Sequence, residues 1–185
     1  EPEHYKRIMP LLRKMSNNQR IQLDDVAWLQ AEVEYCWTDS LQKAWHRLEA
    51  QSLTKAWETG NDAWDAVNAG AHWRKAGKSD VAAELTAAAL KKIGLAPKLK
   101  SALNTTRGGA LRDLHCLDEA KMSGLAAHDL TPKDVRPCTL LGAVCIELGD
   151  LAAGHAWYVY AEKRGATSRS IDQELRSLLS RALPD

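Results

Sequence analysis

Between Ser170 and Leu183, Ile171, Leu175, Leu178 and Leu179 fall on one face of a helix, while Arg169, Glu174, Arg176 and Arg181 fall on the other. Upstream, glycine, proline and short polar clusters divide the chain into similar stretches joined by short turns. This punctuation predicts helices near 3–15, 23–36, 39–59, 62–76, 79–93, 97–114, 117–129, 134–148, 150–163 and 170–182. Pro97 suits a first helical turn, where its missing N–H costs nothing, and Ser170-Ile171-Asp172-Gln173 has capping-box spacing. Gly60, Gly77, Gly94, Gly149 and Gly165 fall at the breaks, where a positive φ closes a helix. Composition agrees: 28 Ala and 25 Leu stand against 21 Val, Ile and Thr together, which argues against a sheet.

The stretches repeat. A 34-residue offset superimposes Gly108 on Gly142, Leu114 on Leu148, Leu117 on Leu151 and Ala127 on Ala161. A 38-residue offset superimposes Gly70 on Gly108, Ala82 on Ala120 and Ala89 on Ala127, with the four extra residues in the turn around Gly94 to Lys100. Three units follow, 63–96, 101–134 and 135–168. Gly70, Gly108 and Gly142 on the first helix of each unit, and Ala82 and Ala120 on the second, mark where the two helices approach closely. Leu90, Leu111, Leu114, Leu141, Leu148 and Tyr158 are expected to fill the layers, each contributing about 1.5–3 kcal/mol if fully buried.

In this phase the chain resembles the tetratricopeptide repeat, a helix-turn-helix unit. The third unit carries Leu141-Gly142, Cys145, Leu148-Gly149-Asp150-Leu151, Tyr158, Ala161 and Ala166 at the pattern's positions. The second carries Gly108, Leu111, Ala120, Ala127 and Pro132; the first carries Gly70, Trp73, Gly77, Ala82 and Ala89-Leu90. Departures occur at Cys138, Asn104 and Ala66, where the pattern has Trp, and at Gly154, where it has Ala. The resemblance implies an all-α fold: an α-solenoid of antiparallel helix pairs, about three such repeats over 63–168. Residues 1–62 are expected to form helical hairpins packing on the array, and 169–185 a capping helix, since a stack needs both ends sealed.

The resemblance also implies a site. First helices of such units line a concave groove, and the contact positions carried over are Trp64, Val67, Ala71 and Arg74; Ala102, Thr105, Gly109 and Arg112; and Arg136, Thr139, Ala143 and Ile146. Ala71, Gly109 and Ala143 would keep the floor open, Thr105 and Thr139 would offer hydroxyls, and Arg74, Arg112 and Arg136 would grip carboxylates. The two-carboxylate clamp of co-chaperone members is absent, because Val67, Ala71 and Leu140 stand at its positions.

Charge adds one feature. The whole chain is nearly balanced, 25 basic against 24 acidic residues, yet Lys91, Lys92, Lys98, Lys100, Arg107 and Arg112 occur in one acid-free stretch. This is either a solvated face or a strip for an acidic peptide or phosphate backbone. Other constellations are bland. Cys36, Cys116, Cys138 and Cys145 show no metal spacing, and Cys138 and Cys145 share a core face. His4, His46, His72, His128 and His155 are scattered, although His46 and Glu49 are close enough on one helix to pair. Arg107-Gly108-Gly109 is a single RGG, which helix packing explains better than nucleic-acid binding. Six of seven tryptophans lie between Trp28 and Trp73 and read as core.

No cofactor, metal or catalytic set is expected, and no apolar run is long enough to cross a membrane. The first expectation is therefore a non-enzymatic, cytoplasmic protein-interaction module, whose groove takes an acidic peptide or helix of another protein or an internal segment of a larger chain. A second is a C-terminal regulatory or recruiting domain of a larger enzyme, including one that acts on nucleic acid, because the chain starts at Glu1 rather than Met. A third is direct single-strand binding, disfavoured by only 11 basic against 8 acidic residues over 63–134.

Overall fold

The computed structural model describes residues 2–182, with side chains from His4 to Ser180, so Leu183 and the Arg181 side chain of the expected cap lie outside the described part. Ten α-helices follow one another and no strand occurs among the described residues: α1 (Pro2–Ser16), α2 (Leu23–Glu32), α3 (Asp39–Gly60), α4 (Ala63–Lys75), α5 (Ser79–Leu90), α6 (Pro97–Asp113), α7 (Leu117–Leu130), α8 (Val135–Glu147), α9 (Leu151–Lys163) and α10 (Ser168–Ala182). None of these helices is long and apolar enough to cross a membrane.

Polar residues set several of the boundaries. Asp62, Asp134 and Asp150 cap α4, α8 and α9 by accepting from the N–H groups of Trp64, Arg136 and Ala153 at 2.9–3.0 Å. At α10 the cap lies one turn earlier than the sequence spacing predicts. Thr167 Oγ1 accepts from the Ser170 N–H at 3.1 Å, and Ser170 Oγ donates back to Thr167 O at 2.7 Å. Gly77, Gly94, Gly149 and Gly165 do take positive φ, but Gly60 stays helical and Asn61 makes the left-handed turn at φ 62°. Asparagine tolerates that conformation better than most residues. The expected 23–36 helix breaks at Val33, which turns into the core with no exposed surface and leaves a short 3-10 turn over Glu34–Cys36.

Consecutive helices pack in pairs, and α4, α6, α8 and α10 also touch in succession, forming one inner layer of a helical-repeat solenoid. The small residues permit this. A Cβ on Gly70 would lie 2.9 Å from Thr106 Cγ2, one on Gly108 would lie 2.6 Å from Leu140 Cδ2, and one on Gly142 would lie 2.9 Å from the Tyr158 ring. Ala82 and Ala120 are fully buried opposite them.

Apolar burial falls into successive clusters. Ile8, Leu11, Met15, Val26, Leu29, Trp37 and Leu48 join α1, α2 and the first half of α3. Trp57, on the second half of α3, packs against Ala63, Ala66, Val67, Ala89 and Leu103 of α4, α5 and α6. Leu111, Ala120, Leu140 and Val144 join α6, α7 and α8. With 22 residues, α3 is about 33 Å long, so one helix ties the N-terminal hairpins to the array. Leu114 and Leu148 correct the expected core: they are 41% and 37% exposed, because each sits at the C-terminal cap of its helix, beyond the packed turns. Leu179 likewise faces outward on α10.

Candidate functional site

Three inner-layer helices and the last helix surround one cavity of about 260 Å³, lined by Arg74 of α4, Thr105, Gly109 and Arg112 of α6, Arg136, Thr139 and Leu140 of α8, and Glu174 of α10. Six of the twelve groove positions expected from sequence meet there: Arg74, Thr105, Gly109, Arg112, Arg136 and Thr139. Ala71, Ala102, Ala143, Ile146, Val67 and Trp64 do not. Val67 is turned into the core beside Ala63 and Leu103, and Trp64, 38% exposed on the first turn of α4, lies outside the cavity.

The geometry changes what the arginines do. Arg74 Nε donates to Asp113 Oδ2 at 2.8 Å, its Nη2 donates to Oδ1 at 3.3 Å, and Ser79 Oγ donates to the same carboxylate at 3.1 Å. Arg112 Nε donates to Glu147 Oε1 at 3.0 Å, and its Nη1 donates to Glu174 Oε1 at 2.7 Å. The 38-residue offset relates Arg74 to Arg112, and the 34-residue offset relates Asp113 to Glu147. The arginine near the end of each first helix thus grips an acid at the end of the next first helix. At the following step the arginine position is held by Ile146, and the ladder stops where α10 begins. Gly109 belongs to the same device: its missing Cβ leaves the space through which the Arg74 guanidinium crosses α6, so the expected open floor is filled at that point.

Burial fixes the energetics. Only 6% of Arg112 is exposed, and although burial works against its charge, hydrogen bonds and charge from Glu147 and Glu174 hold the guanidinium above its ordinary pKa. Arg112 Nη2 lies 3.0 Å from Glu147 Oε1 in the ion pair, but its hydrogens are not aligned with that oxygen. Glu147 Oε2 and Tyr158 OH are buried beside it with no hydrogen bond within the chain. Burial, reinforced by the charge of Glu174, pushes the Tyr158 hydroxyl far above its usual range and keeps it neutral. Three arginines therefore face three carboxylates, Asp113, Glu147 and Glu174. Arg136 is exposed and its guanidinium has no ion-pair partner among the described residues. Thr105 and Thr139 turn their hydroxyl hydrogens back onto Ser101 O and Arg136 O, which leaves their oxygens as acceptors.

The basic strip divides in two. Lys91, Lys92, Lys98 and Lys100 are exposed around the α5–α6 turn, where Lys92 lies 5.4 Å over the Trp57 ring and donates to Asn61 O. Arg107 faces a different cavity with Asn104, Glu119, Met122 and Ser123, and its Nε is buried without a hydrogen bond within the chain. His46 does not pair with Glu49. Its Nδ1 meets His72 Nδ1 at 3.0 Å across α3 and α4, while Glu49 takes Arg20 Nε at 2.7 Å and Nη2 at 2.5 Å. Cys138 and Cys145 are buried, and burial pushes both thiols up, away from the thiolate form. Among the described residues, no group of three or more His, Cys, Asp or Glu is placed to hold a metal ion.

Sequence reasoning missed the acids and the histidine pair. Asp113 and Glu147 were signalled by their shared repeat position, one residue after Arg112 and Ile146. Glu174 carries no such signal, because α10 lies outside the three units. No family model matches the chain, and no curated protein matches it.

Proposed function

We propose that the chain is a docking module of the tetratricopeptide type, without catalytic activity, that takes an acidic segment of another protein, or of a larger chain containing it, on its inner face. One observation carries this reading. Arg74, Arg112 and Arg136 come together with Thr105 and Thr139 on the inner layer, and that face already receives a carboxylate from an amphipathic helix through Glu174. Arg136, exposed and without an ion pair, supplies the cation open to a ligand. All four cysteines are free, which suits the reducing interior of a cell.

Arg136 is also the residue to perturb, because Arg74 and Arg112 hold the stack together and their reversal would report on folding. A random displayed-peptide library selected on the intact chain should enrich acidic sequences. Arg136→Glu should weaken their binding at least tenfold while far-UV circular dichroism stays unchanged. Enrichment without charge bias, or equal binding by the variant, overturns the proposal. Binding of a labelled single strand that weakens steeply with salt, and is lost when Lys91, Lys92, Lys98 and Lys100 are replaced by Gln, would move nucleic acid to first place.

A further inference from the structure

Helix α10 occupies the inner layer, but its seat there is loose. It touches α8, and along it Ile171 and Leu178 are buried and Leu175 is half-buried. Cavities of about 230 and 450 Å³ flank it: one reaches Leu151, Tyr158 and Val159 of α9, and the other reaches His115, Leu117 and Glu147 across the α6–α7 turn. Both clefts are open to solvent, and of its described residues α10 buries only Ile171 and Leu178; elements with few buried apolar contacts are the ones that open locally.

Its polar contact is incomplete too. Glu174, 39% exposed, reaches Arg112 Nη1 with a single oxygen, whereas the guanidinium presents a two-pronged edge that a carboxylate can fill with both. Beneath that contact Arg112 Nη2, Glu147 Oε2 and Tyr158 OH stay without hydrogen bonds within the chain. The seat therefore has more to offer than α10 uses.

We propose that α10 is a built-in, displaceable occupant of the inner face, and that the docking partner is an acidic amphipathic helix that replaces it. The partner presents a carboxylate at the place of Glu174 and apolar side chains at the spacing of Ile171, Leu175 and Leu178. This rests on the docking reading and adds its regulation, because a tethered helix competes at an effective concentration in the millimolar range and admits only ligands that fit better than it does.

The test uses the intact chain and a fluorescein-labelled synthetic peptide of residues 168–182 as the probe. With wild type the tethered copy holds the seat and the peptide binds weakly. Glu174→Lys unseats the tethered helix, so the added peptide should bind at least tenfold tighter. Glu174→Gln, which keeps the shape and removes the charge, is carried in parallel as a milder disturbance and should fall between. The same peptide made with Glu174→Gln should lose the gain. Equal affinity across the three chains, or no binding of the peptide to any of them, overturns the proposal. If peptides from the acidic library meanwhile bind all three chains alike and depend on Arg136, docking stands and only the role of α10 falls.

Discussion

Replacing Arg112 by methionine asks whether the inner-face arginines hold the stack or wait for a ligand. The side chain is 6% exposed and neutralises two carboxylates at once, Glu147 at 3.0 Å and Glu174 at 2.7 Å. Taking one partner out of a fully buried ion pair costs about 3–5 kcal/mol, because the remaining charge stays desolvated. Here the acids are not fully buried: Glu147 is 21% exposed and Glu174 is 39% exposed, so both recover part of their hydration. The expectation is accordingly about 2–3 kcal/mol. At a urea slope of about 2–3 kcal/mol per M, the unfolding midpoint should fall by about 1 M. The decisive comparison is the triple variant Arg112→Met, Glu147→Gln, Glu174→Gln. It loses the same hydrogen bonds but leaves no uncompensated charge, so it should recover more than half of the loss. A cost below about 0.5 kcal/mol for the single variant, or a triple variant no more stable than the single, would refute the ladder.

Two further perturbations test other contacts. A Cβ on Gly154 would lie 2.5 Å from Ile146 Cγ1 and 3.0 Å from the backbone oxygen of Gly142, which cannot give way, so Gly154→Ala should cost about 1–3 kcal/mol in urea unfolding. Gly60, helical and with nothing within 4 Å of its missing Cβ, should gain about 0.5 kcal/mol as Ala, and equal effects at the two sites would refute the close approach. At the α3–α4 contact, burial pushes His46 down to about 4, with the neighbouring His72 and Lys75 adding to the effect and Glu49 opposing it. Burial also lowers His72, with Lys75 and Arg20 acting in the same direction and Glu49 against them. A histidine held below its unfolded pKa of about 6.5 contributes stability that is complete above that pH and is lost as pH falls from there toward 4. The pair is partly solvated, so the loss should be about 1 kcal/mol. His46→Gln should flatten the melting temperature across that window, and a wild-type profile already flat there would refute the assignment.

How much of this was legible in the sequence depends on whether the signal was local. Helix positions were legible because Pro97 and the turn glycines act on their own neighbours. The close-packed column at Gly70, Gly108 and Gly142 was legible because a repeat puts the same residue at the same contact. Caps misled where two residues compete, as Thr167 does with Ser170 and Asn61 with Gly60, since either can serve and tertiary geometry chooses. Val67 misled because it stands at a groove position of the family pattern while its side chain here turns into the core between α4 and α6.

The ion-pair ladder lay in between. Superimposing the chain on itself reveals identities, whereas Arg74–Asp113 and Arg112–Glu147 are complementarities displaced by one residue between successive units. Once the inner helices are known to stack in order, that displacement becomes a rule: a cation near the end of one first helix meets an anion at the end of the next. Unit three breaks the rule at Ile146, and the arginine below it keeps Glu147 and takes Glu174 as a second acid. The end of the repeat pattern and the arrival of α10 are therefore one event. A residue that no longer supplies a cation to the next unit leaves Arg112 with the last acid of its own kind, and the carboxylate that α10 brings to it comes from outside the ladder. Register along the stack and occupancy of the inner face thus converge on one side chain, Arg112, whereas Arg136 takes no part in the ladder.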